Sequence, residues 1–375
     1  MVVLGLLFLL VVMVTDVGKS DDPLSPEELR LAEEGIADQV EPVRFTVSVS
    51  GDLLIHSPLW TRALENGGGD YDFTPFFEAI RPWIAGPELA LCHLETPLTT
   101  GEPASYPVFA TPDELADAVE ATGWDACDTA SNHSLDGGLD GIATTGEELD
   151  RRGIEHTGSF AEAGRRGPLL LDAGRVKVAL VAYTDMTNGI PLPEPWAVNV
   201  VPADEPVRER TVPILGDARR AREAGADVVM VNMHWGDENS TEPNDSQVEL
   251  ADALTASPLV DVVVGQGPHV VQPIRRMNGK FVVFSEGNLV SNQSALVGLP
   301  AETQDGLIAL LDFIADGHGV RVERVRYVPT WVRLDDYVVL SAEAGSDPDY
   351  AESLRESRQR TVGIAGRGPR IVPVG

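Results

Sequence analysis

The segment Arg44–Asp52 reads RFTVSVSGD and introduces the pattern that decides the fold. Polar and apolar residues alternate up to Ser50, and β-branched side chains are frequent, which is typical of a β-strand. The strand ends in a glycine and an aspartate, and helices are predicted next, at Pro58–Glu65 and Thr74–Ile84. A strand that ends in a polar residue and leads into a helix is the repeating unit of α/β folds.

Strands and helices alternate along the rest of the chain. Short apolar runs predict strands at Glu88–Leu94, Asp125–Ala130, Val176–Tyr183, Val228–Asn232 and Val260–Val264, and helical spacing predicts helices at Pro112–Ala121, Gly138–Arg152, Thr211–Ala224 and Gln247–Ala256. The turn Asn278-Gly279 predicts a hairpin, and the last predicted strands are Leu307–Phe313 and Val320–Tyr327. Asp185–Val207, rich in Pro and Asn, is predicted to be a long loop. We therefore expect an α/β fold with mixed sheets.

Length and charge limit what the protein can be. Its 375 residues, of which 43% are hydrophobic, suffice for one large domain or two of ordinary size. The formal net charge is -31, and a surface this acidic repels the phosphates of nucleic acids. We therefore exclude DNA and RNA as partners.

The chain divides into four predicted segments. Residues 1–15 are almost wholly apolar, which fits a signal-peptide core, an uncleaved anchor or a buried helix. Residues 16–42 form an acidic spacer with a short helix, Pro26–Ile36. The main domain spans residues 43–336. The C-terminal extension, residues 337–375, loses strand character and carries one polar helix.

The two cysteines, Cys92 and Cys127, each lie in a predicted buried strand. A disulfide is one alternative if the compartment is oxidising. Buried thiols also behave as small hydrophobic side chains, and we expect two separate thiols here. Neither cysteine has the spacing of a zinc site.

Side chains that can bind a metal follow five of the predicted strands. Each comes just after the carboxyl end of its strand; they are Asp52, Glu95, Asn132–His133, His234 and His269. Ligands of open α/β sheets bind at this edge, and three of the chain's seven histidines belong to the set. Each residue alone has an ordinary structural role, such as a helix cap for an aspartate. Their common placement predicts a metal site.

The motifs that contain these residues resemble one known family. In chain order they are Gly51-Asp52, His93-Leu94-Glu95-Thr96-Pro97-Leu98, Ser131-Asn132-His133-Ser134-Leu135-Asp136, His234-Trp235-Gly236, Pro268-His269-Val270-Val271-Gln272 and Ser285-Glu286-Gly287-Asn288. This order is similar to that of the CapA family of poly-γ-glutamate capsule biosynthesis, which looks like a branch of the calcineurin-like metallophosphoesterases. The resemblance covers about residues 45–288. It implies a four-layer α-β-β-α sandwich with mixed sheets.

The resemblance also implies roles for single residues. The metal ligands would be Asp52, Glu95, Asn132, His234 and His269, with Glu95 where a carboxylate bridges two ions. His133 would be the general acid, and Asn132 would bind either metal or a substrate oxygen. Such donors suit one or two ions of Mn²⁺, Zn²⁺ or Fe²⁺. A bound ion lowers the pKa of its water and supplies hydroxide.

The sequence departs from the family pattern at two positions. Family members usually have a histidine where Gly267 stands. Typical metallophosphoesterases also have a histidine where Leu54 stands. His56, four residues after Asp52, either replaces the missing imidazole or lies on the surface.

Two further residues are candidates with an alternative. His93 can face the same way as Glu95, because residues two apart on a strand share a face. In the family, however, its position usually holds a small polar residue. Asp136 either orients the imidazole of His133, as carboxylates often do, or caps the helix predicted from Gly138.

These features lead to two functional hypotheses. The first is an extracytoplasmic hydrolase that uses metal-activated water on a phosphoester, amide or ester of a capsule or cell-envelope polymer, such as poly-γ-glutamate, or its precursor. The second is a non-catalytic assembly protein that keeps the fold and at most one metal. The Asn132–His133 pair favours the first and Gly267 the second.

The expected partners follow from the same resemblance. They are the polymer and other capsule-synthesis membrane proteins. Poly-γ-glutamate is a polyanion, so the net charge of -31 opposes its binding. A metal or an arginine patch, for example Arg275-Arg276, would have to provide the attraction.

Overall fold

Two β-sheets face each other in the structure, a computed structural model that describes residues 41–343 and 345–375. In chain order the strands are β1 (Val43–Leu53), β2 (Leu89–Leu94), β3 (Leu98–Thr99), β4 (Thr111–Pro112), β5 (Ala126–Asp128), β6 (Glu155–Thr157), β7 (Leu169–Ala173), β8 (Val176–Thr184), β9 (Val228–His234), β10 (Val262–Gln266), β11 (Ile274–Met277), β12 (Lys280–Val283), β13 (Asn288–Val290), β14 (Asp305–Asp316), β15 (Gly319–Arg333), β16 (Val338–Ser341) and β17 (Ile371–Pro373). The α-helices are α1 (Ser57–Asn66), α2 (Arg81–Ile84), α3 (Leu115–Thr122), α4 (Gly138–Arg151), α5 (Val207–Glu223), α6 (Asp245–Ala256) and α7 (Ala351–Ala365). Residues 45–313 and 321–375 form one compact unit, which contains every site discussed below.

Both sheets are mixed, as the sequence predicts. The nine-stranded sheet has the order β16-β15-β14-β1-β2-β5-β6, with β13 paired to β1 and β17 to β15. Its strands β1, β2, β5 and β6 run parallel. The six-stranded sheet has the order β11-β12-β10-β9-β8-β7, with a parallel centre and an antiparallel strand at each edge.

Alternation along the central strands produces four layers. On β2, Cys92 packs in the cluster that includes helices α1, α3 and α4, whereas its neighbour His93 faces the other sheet. On β9, Met233 packs against α5 and α6, whereas His234 faces the first sheet. His93 Nε2 and His234 Nδ1 lie 3.0 Å apart across the interface. This α-β-β-α arrangement confirms the predicted sandwich.

A glycine allows three strands to meet beside the carboxyl end of β1. A Cβ atom at Gly51 would lie 1.9 Å from the carbonyl oxygen of Gly287, so only glycine permits this approach of the two backbones. The approach places Asp52 beside Asn288 on β13 and beside His93 on β2. Polar side chains from three strands therefore stand side by side.

Several predicted elements differ from the observed ones. The helix predicted at residues 74–84 is replaced by two 3-10 turns and the short α2, because Pro82 has no N–H for a continuous helix. Residues 337–375 contribute two strands, β16 and β17, which pair with β15. The prediction that strands end near Tyr337 was therefore wrong. The two strands were missed because segments of three or four residues are too short to show alternation.

Other predictions are confirmed. The hairpin turn has positive φ at Asn278 and Gly279, as the two-residue turn requires. Residues 185–206 contain no helix or strand, in agreement with the predicted loop. The apolar leader and most of the acidic spacer, including its helix, lie outside the described residues. Within the described part of the chain, no helix is long and apolar enough to span a bilayer.

The expectation of two separate thiols was wrong. The structure joins Cys92 and Cys127 in a disulfide, with their Cα atoms 4.5 Å apart. The two residues are register partners on the parallel strands β2 and β5. The sequence shows two buried strands but not that they are neighbours in register, so the pairing was not predictable.

Candidate metal centre

A buried carboxylate lies at the centre of the site. Asp52 has no exposed surface, and its Oδ2 is 3.2 Å from His269 Nδ1. Its other oxygen, Oδ1, lies 3.8 Å from His93 Nε2 and has no hydrogen-bond partner among the described residues. Buried polar atoms almost always have a partner, so this oxygen is suited to a ligand from outside the chain.

Two groups of three side chains could each hold a metal ion. One group is Asp52, His93 and His234; the other is Asp52, Glu95 and His269. Within each group the ligand atoms lie within 4.8 Å of one another, and all five side chains are buried. The residue common to both groups is Asp52, whereas the family resemblance implied that Glu95 would bridge.

Glu95 supports the fit of a cation. Both of its carboxylate oxygens are buried without a hydrogen-bond partner among the described residues, although Oε1 lies 3.7 Å from His269 Nε2. Burial raises the pKa of Glu95 to about 7, against the opposing charge of His269. The charge of His269 thus offsets only part of the cost of burying this carboxylate, and a divalent ion would stabilise its charged form further.

His93 is held in a fixed orientation by a chain of two buried residues. Its Nδ1 donates to Asp128 Oδ1 at 2.7 Å, and Asp128 Oδ2 accepts from Asn232 Nδ2 at 3.1 Å. Burial lowers the pKa of His93, but the carboxylate of Asp128 outweighs it and raises the pKa to about 9. Burial and the neighbouring His93 hold the pKa of His234 well below its ordinary value.

His269 adopts an unusual backbone conformation. Its φ is +60°, a region that non-glycine residues rarely adopt and that often occurs at functional sites. Its Nδ1 also lies 3.1 Å from Asn288 Oδ1, and Asn288 Nδ2 donates to Gln293 and to the carbonyl of Thr303. Asn288, whose role the sequence did not reveal, therefore orients this imidazole.

The predicted general acid lies next to this cluster. His133 Nδ1 donates to Asp136 Oδ2 at 2.8 Å, and its ring contacts Phe109 edge-on at 4.6 Å between centroids. Helix α4 has Gly137 at its N-cap and no side-chain cap. Asp136 therefore orients His133, and the alternative that it caps the helix was wrong.

Asn132 presents an oxygen to the same region. Its Nδ2 donates to Asn188 Oδ1 at 3.3 Å, which orients the amide. Its Oδ1 is buried and lacks a hydrogen-bond partner within the described residues. Asn188 belongs to the long predicted loop, and it shows that this loop reaches the site. Ser131 Oγ donates to the carbonyl of Glu95 at 2.7 Å, which joins the two motifs.

The position that lacks the family's histidine leaves little room for a side chain. Gly267 has φ +104°, and a Cβ atom there would lie 3.1 Å from His234 Nε2. The imidazole of His93 is supplied from β2 instead. His56 belongs to neither ligand group; it contacts Phe109 at 5.1 Å, and burial lowers its pKa to about 4.

Two further buried polar residues, Gln266 and Glu286, were not predicted to belong to the site. Gln266 is the register partner of His234, and its Nε2 donates to Glu286 Oε2 at 3.0 Å. The second oxygen of Glu286 and the amide oxygen of Gln266 are buried without partners among the described residues. Burial raises the pKa of Glu286 to about 8. Glu286 belongs to the motif Ser285-Glu286-Gly287-Asn288, but the motif does not indicate that its side chain is buried beside the site.

The four-layer sandwich and the buried carboxylate–imidazole cluster at its strand ends define an α/β protein whose side chains are compatible with divalent metal binding. Residues 46–293 match the family model described as "Bacterial capsule synthesis protein PGA_cap". This match covers most of the chain, so the protein belongs to that family, and the family predicted from the six motifs is confirmed.

Two proteins of similar sequence agree with this assignment. A "PGA biosynthesis protein CapA" of Bacillus subtilis is 26% identical over 256 residues, which are 66% of this chain and 64% of that protein. A "probable polyglutamine synthesis accessory protein" of Mycobacterium tuberculosis is 28% identical over 226 residues, 56% of this chain and 57% of that protein. This chain thus spans less than two thirds of either relative. The calcineurin-like phosphoesterase YfkN from Bacillus subtilis, a solved structure, is 13% identical with a TM-score of 0.47, covering 86% of this chain and 99% of that one.

Proposed function

We propose that the protein is a metal-dependent hydrolase that acts outside the cytoplasm on a phosphoester, amide or ester of a capsule or cell-envelope polymer or its precursor. The observation that carries the proposal is the pair of buried ligand groups that share Asp52. Five ionisable side chains converge there from β1, β2 and β9 and from the residues that follow β2 and β10. Burying so many charges is costly unless a ligand compensates them, and metal-dependent chemistry provides the reason.

The ligand groups define where ions would be held. Asp52, His93 and His234 would hold one divalent ion, and Asp52, Glu95 and His269 a second. When bound, such ions lower the pKa of a water molecule and neutralise negative charge on the substrate. Imidazole and carboxylate donors suit Mn²⁺, Zn²⁺ or Fe²⁺. The unpartnered oxygens of Asp52 and Glu95 fit this interpretation.

The remaining residues of the site bind and move protons. Asp136 holds Nδ1 of His133, which leaves Nε2 to give a proton to the leaving group. Phe109 packs against the ring and limits its rotation. Asn188 orients the amide of Asn132, whose Oδ1 is then available to accept a hydrogen bond from the substrate or to bind metal.

Three observations support the location and the polymer. Disulfides such as Cys92–Cys127 persist in oxidising compartments and are rare in the cytosol, and residues 1–15 are almost wholly apolar. The names of the two similar proteins refer to PGA biosynthesis and to polyglutamine synthesis. We therefore propose a capsule polymer as substrate and capsule-synthesis membrane proteins as partners.

Metal content and turnover test the proposal together. We would purify the full chain and measure bound manganese, zinc and iron by elemental analysis, with His234→Ala as the test variant. His318→Ala, in an exposed turn, is the matched control. We expect one or two ions per chain, fewer in His234→Ala and an unchanged content in the control.

The preparation that holds metal would then be assayed with chromogenic phosphodiesters and with γ-glutamyl amides. Hydrolysis that falls with metal content supports the hydrolase. A protein that binds no metal after incubation with Mn²⁺ and Zn²⁺ would exclude it. A stable metal centre without turnover on either substrate class would favour the non-catalytic assembly protein.

A further inference from the structure

The last 25 residues of the chain carry charge opposite to that of the rest. Residues 351–375 contain five arginines and two glutamates, although the whole chain has a net charge of -31. The segment comprises α7, β17 and the residues between them. A positively charged segment in an otherwise acidic protein indicates a surface that binds anionic partners.

Arginines of this segment line a groove. The groove has a volume of about 650 Å³, and its wall includes Arg355, Arg358 and Arg367. Arg355, Arg358 and Val362 share one face of α7, because residues three, four and seven apart on a helix lie on the same side. The helix therefore presents two guanidinium groups and an apolar side chain along the groove.

Two of the three guanidinium groups are not neutralised by strong contacts. Arg367 is exposed and forms no hydrogen bond or ion pair with the described residues. Arg355 is 60% exposed, with Glu352 at 3.6 Å, and such surface pairs contribute little. Arg358 donates to the backbone oxygens of Val374 and Gly375, which holds the tail beside α7, and Pro373 of the tail lines the groove.

Glycine keeps the floor of the groove open. Gly363 lies in the interior of α7, and apart from the backbone of its own helix no atom of the described residues lies within 4 Å of the position of a Cβ atom there. Glycine inside a helix costs about 1 kcal/mol relative to alanine. The packing of the chain itself does not require this glycine, so the open space is available to a ligand.

We propose that this groove binds a linear polycarboxylate chain, at a surface separate from the metal centre. Guanidinium groups match carboxylates in bidentate geometry, and Val362 can contact the methylene groups between them. The residues that line the groove include no aromatic side chain on which bases could stack. Single-stranded nucleic acid therefore fits the groove less well.

This groove is an alternative to Arg275-Arg276, the arginine patch suggested by the sequence. Arg275 is paired with Glu242 at 3.1 Å, and Arg276 donates to the carbonyl of Gly279. The proposal rests on the proposed function only for the identity of the polymer, because binding requires no turnover.

Binding of fluorescent poly-γ-glutamate by the full-length protein at low salt tests the proposal. The double variant Arg355→Glu/Arg367→Glu reverses the charge, and Gly363→Leu fills the groove without changing charge. We expect each to weaken binding, the double variant by about tenfold or more, since each exposed ion pair contributes a few-fold. Binding should also weaken from 0.01 M to about 0.15 M salt as the Debye length shortens.

Matched variants distinguish binding in the groove from a general effect of charge. The double variant Arg208→Glu/Arg219→Glu changes the charge equally at two exposed arginines of α5 and should change binding less than about twofold. Thermal melting checks that Gly363→Leu is folded. Absence of binding by the wild type, or binding that the groove variants leave unchanged, would overturn the proposal. So would equal affinity for an oligothymidylate of the same charge.

The metal centre is tested independently in the same experiment. His234→Ala should keep the polymer binding that the groove provides, and adding Arg355→Glu/Arg367→Glu to it should remove that binding. A loss in His234→Ala alone comparable to that of the groove variants would place the polymer at the metal centre and overturn the proposal. A protein that binds the polymer through the groove but holds no metal would contradict the proposed hydrolase alone.

Discussion

Replacing Asp128 with asparagine tests whether His93 is a metal ligand. Asp128 is buried and accepts hydrogen bonds from His93 at 2.7 Å and from Asn232 at 3.1 Å. Asparagine keeps the size of the side chain and one acceptor for His93. Asn232 Oδ1 has no partner among the described residues, so its amide can rotate to accept from the new side chain. The variant therefore removes the charge and preserves the contacts.

The expected magnitude follows from these contacts. A carboxylate that orients a ligating imidazole strengthens metal binding, and its loss costs about 10- to 100-fold in affinity, or about 1.4–2.7 kcal/mol. Asp128→Ala would also leave two buried donors unpaired, at about 1–3 kcal/mol each. We therefore expect the asparagine variant to lose metal affinity with little loss of folding stability, and the alanine variant to lose both.

The assay is calorimetric titration of the metal-free full-length protein with Mn²⁺ and with Zn²⁺, accompanied by urea unfolding. Asp172→Asn, at an exposed carboxylate paired with Lys177, is the matched control. Wild-type affinity for both ions in Asp128→Asn would refute the reasoning, because His93 would then not depend on Asp128 or would not bind metal. A reduced affinity in the control as well would trace the effect to net charge.

Three other substitutions have defined outcomes. His133→Gln should lower kcat about 100- to 10,000-fold with an unchanged metal content, measured by elemental analysis and hydrolysis. Gly51→Ala should lower the free energy of unfolding by about 2–4 kcal/mol in urea, because the added Cβ would meet the carbonyl of Gly287 at 1.9 Å. Burial would raise the pKa of Asp312, but hydrogen bonds, chiefly from Arg326, outweigh it and lower the pKa. The folded state therefore gains stability from this carboxylate above about pH 4 and loses that stability as the pH falls through the lowered pKa. Asp312→Asn should lower the free energy of unfolding in urea by about 1–2 kcal/mol at pH 7, and by less in acid.

The sequence pattern of a single strand was enough to predict the candidate ligand at the end of that strand. Asp52, Glu95, His234 and His269 follow or end buried strands, and the parallel order of the strands brings their carboxyl ends together. A ligand at a strand end can therefore be predicted without knowledge of which strands are neighbours. The α/β class follows in the same way, because alternation and helical spacing are properties of short segments.

Contacts that depend on register between strands could not be predicted. The pair Cys92–Cys127 and the contact of His93 with Asp128 both require that β2 and β5 are adjacent and aligned. The contact of Asn232 with Asp128 also requires knowledge of how the two sheets face each other. Strand register and sheet packing are defined only in the assembled fold, and they decide which polar residues of a strand reach the site.

The ligand group of Asp52, His93 and His234 is present although Gly267 replaces the family's histidine. What a metal requires is a nitrogen donor near Asp52 and His234, and not a donor from a particular strand. At Gly267, positive φ and the 3.1 Å approach of a Cβ atom to His234 disfavour any side chain. On β2, His93 stands beside Asp52 in register and is held by Asp128. The glycine that favoured a non-catalytic protein on sequence grounds therefore leaves two imidazoles, His93 and His234, in one ligand group with Asp52, so the glycine alone does not argue against the proposed hydrolase.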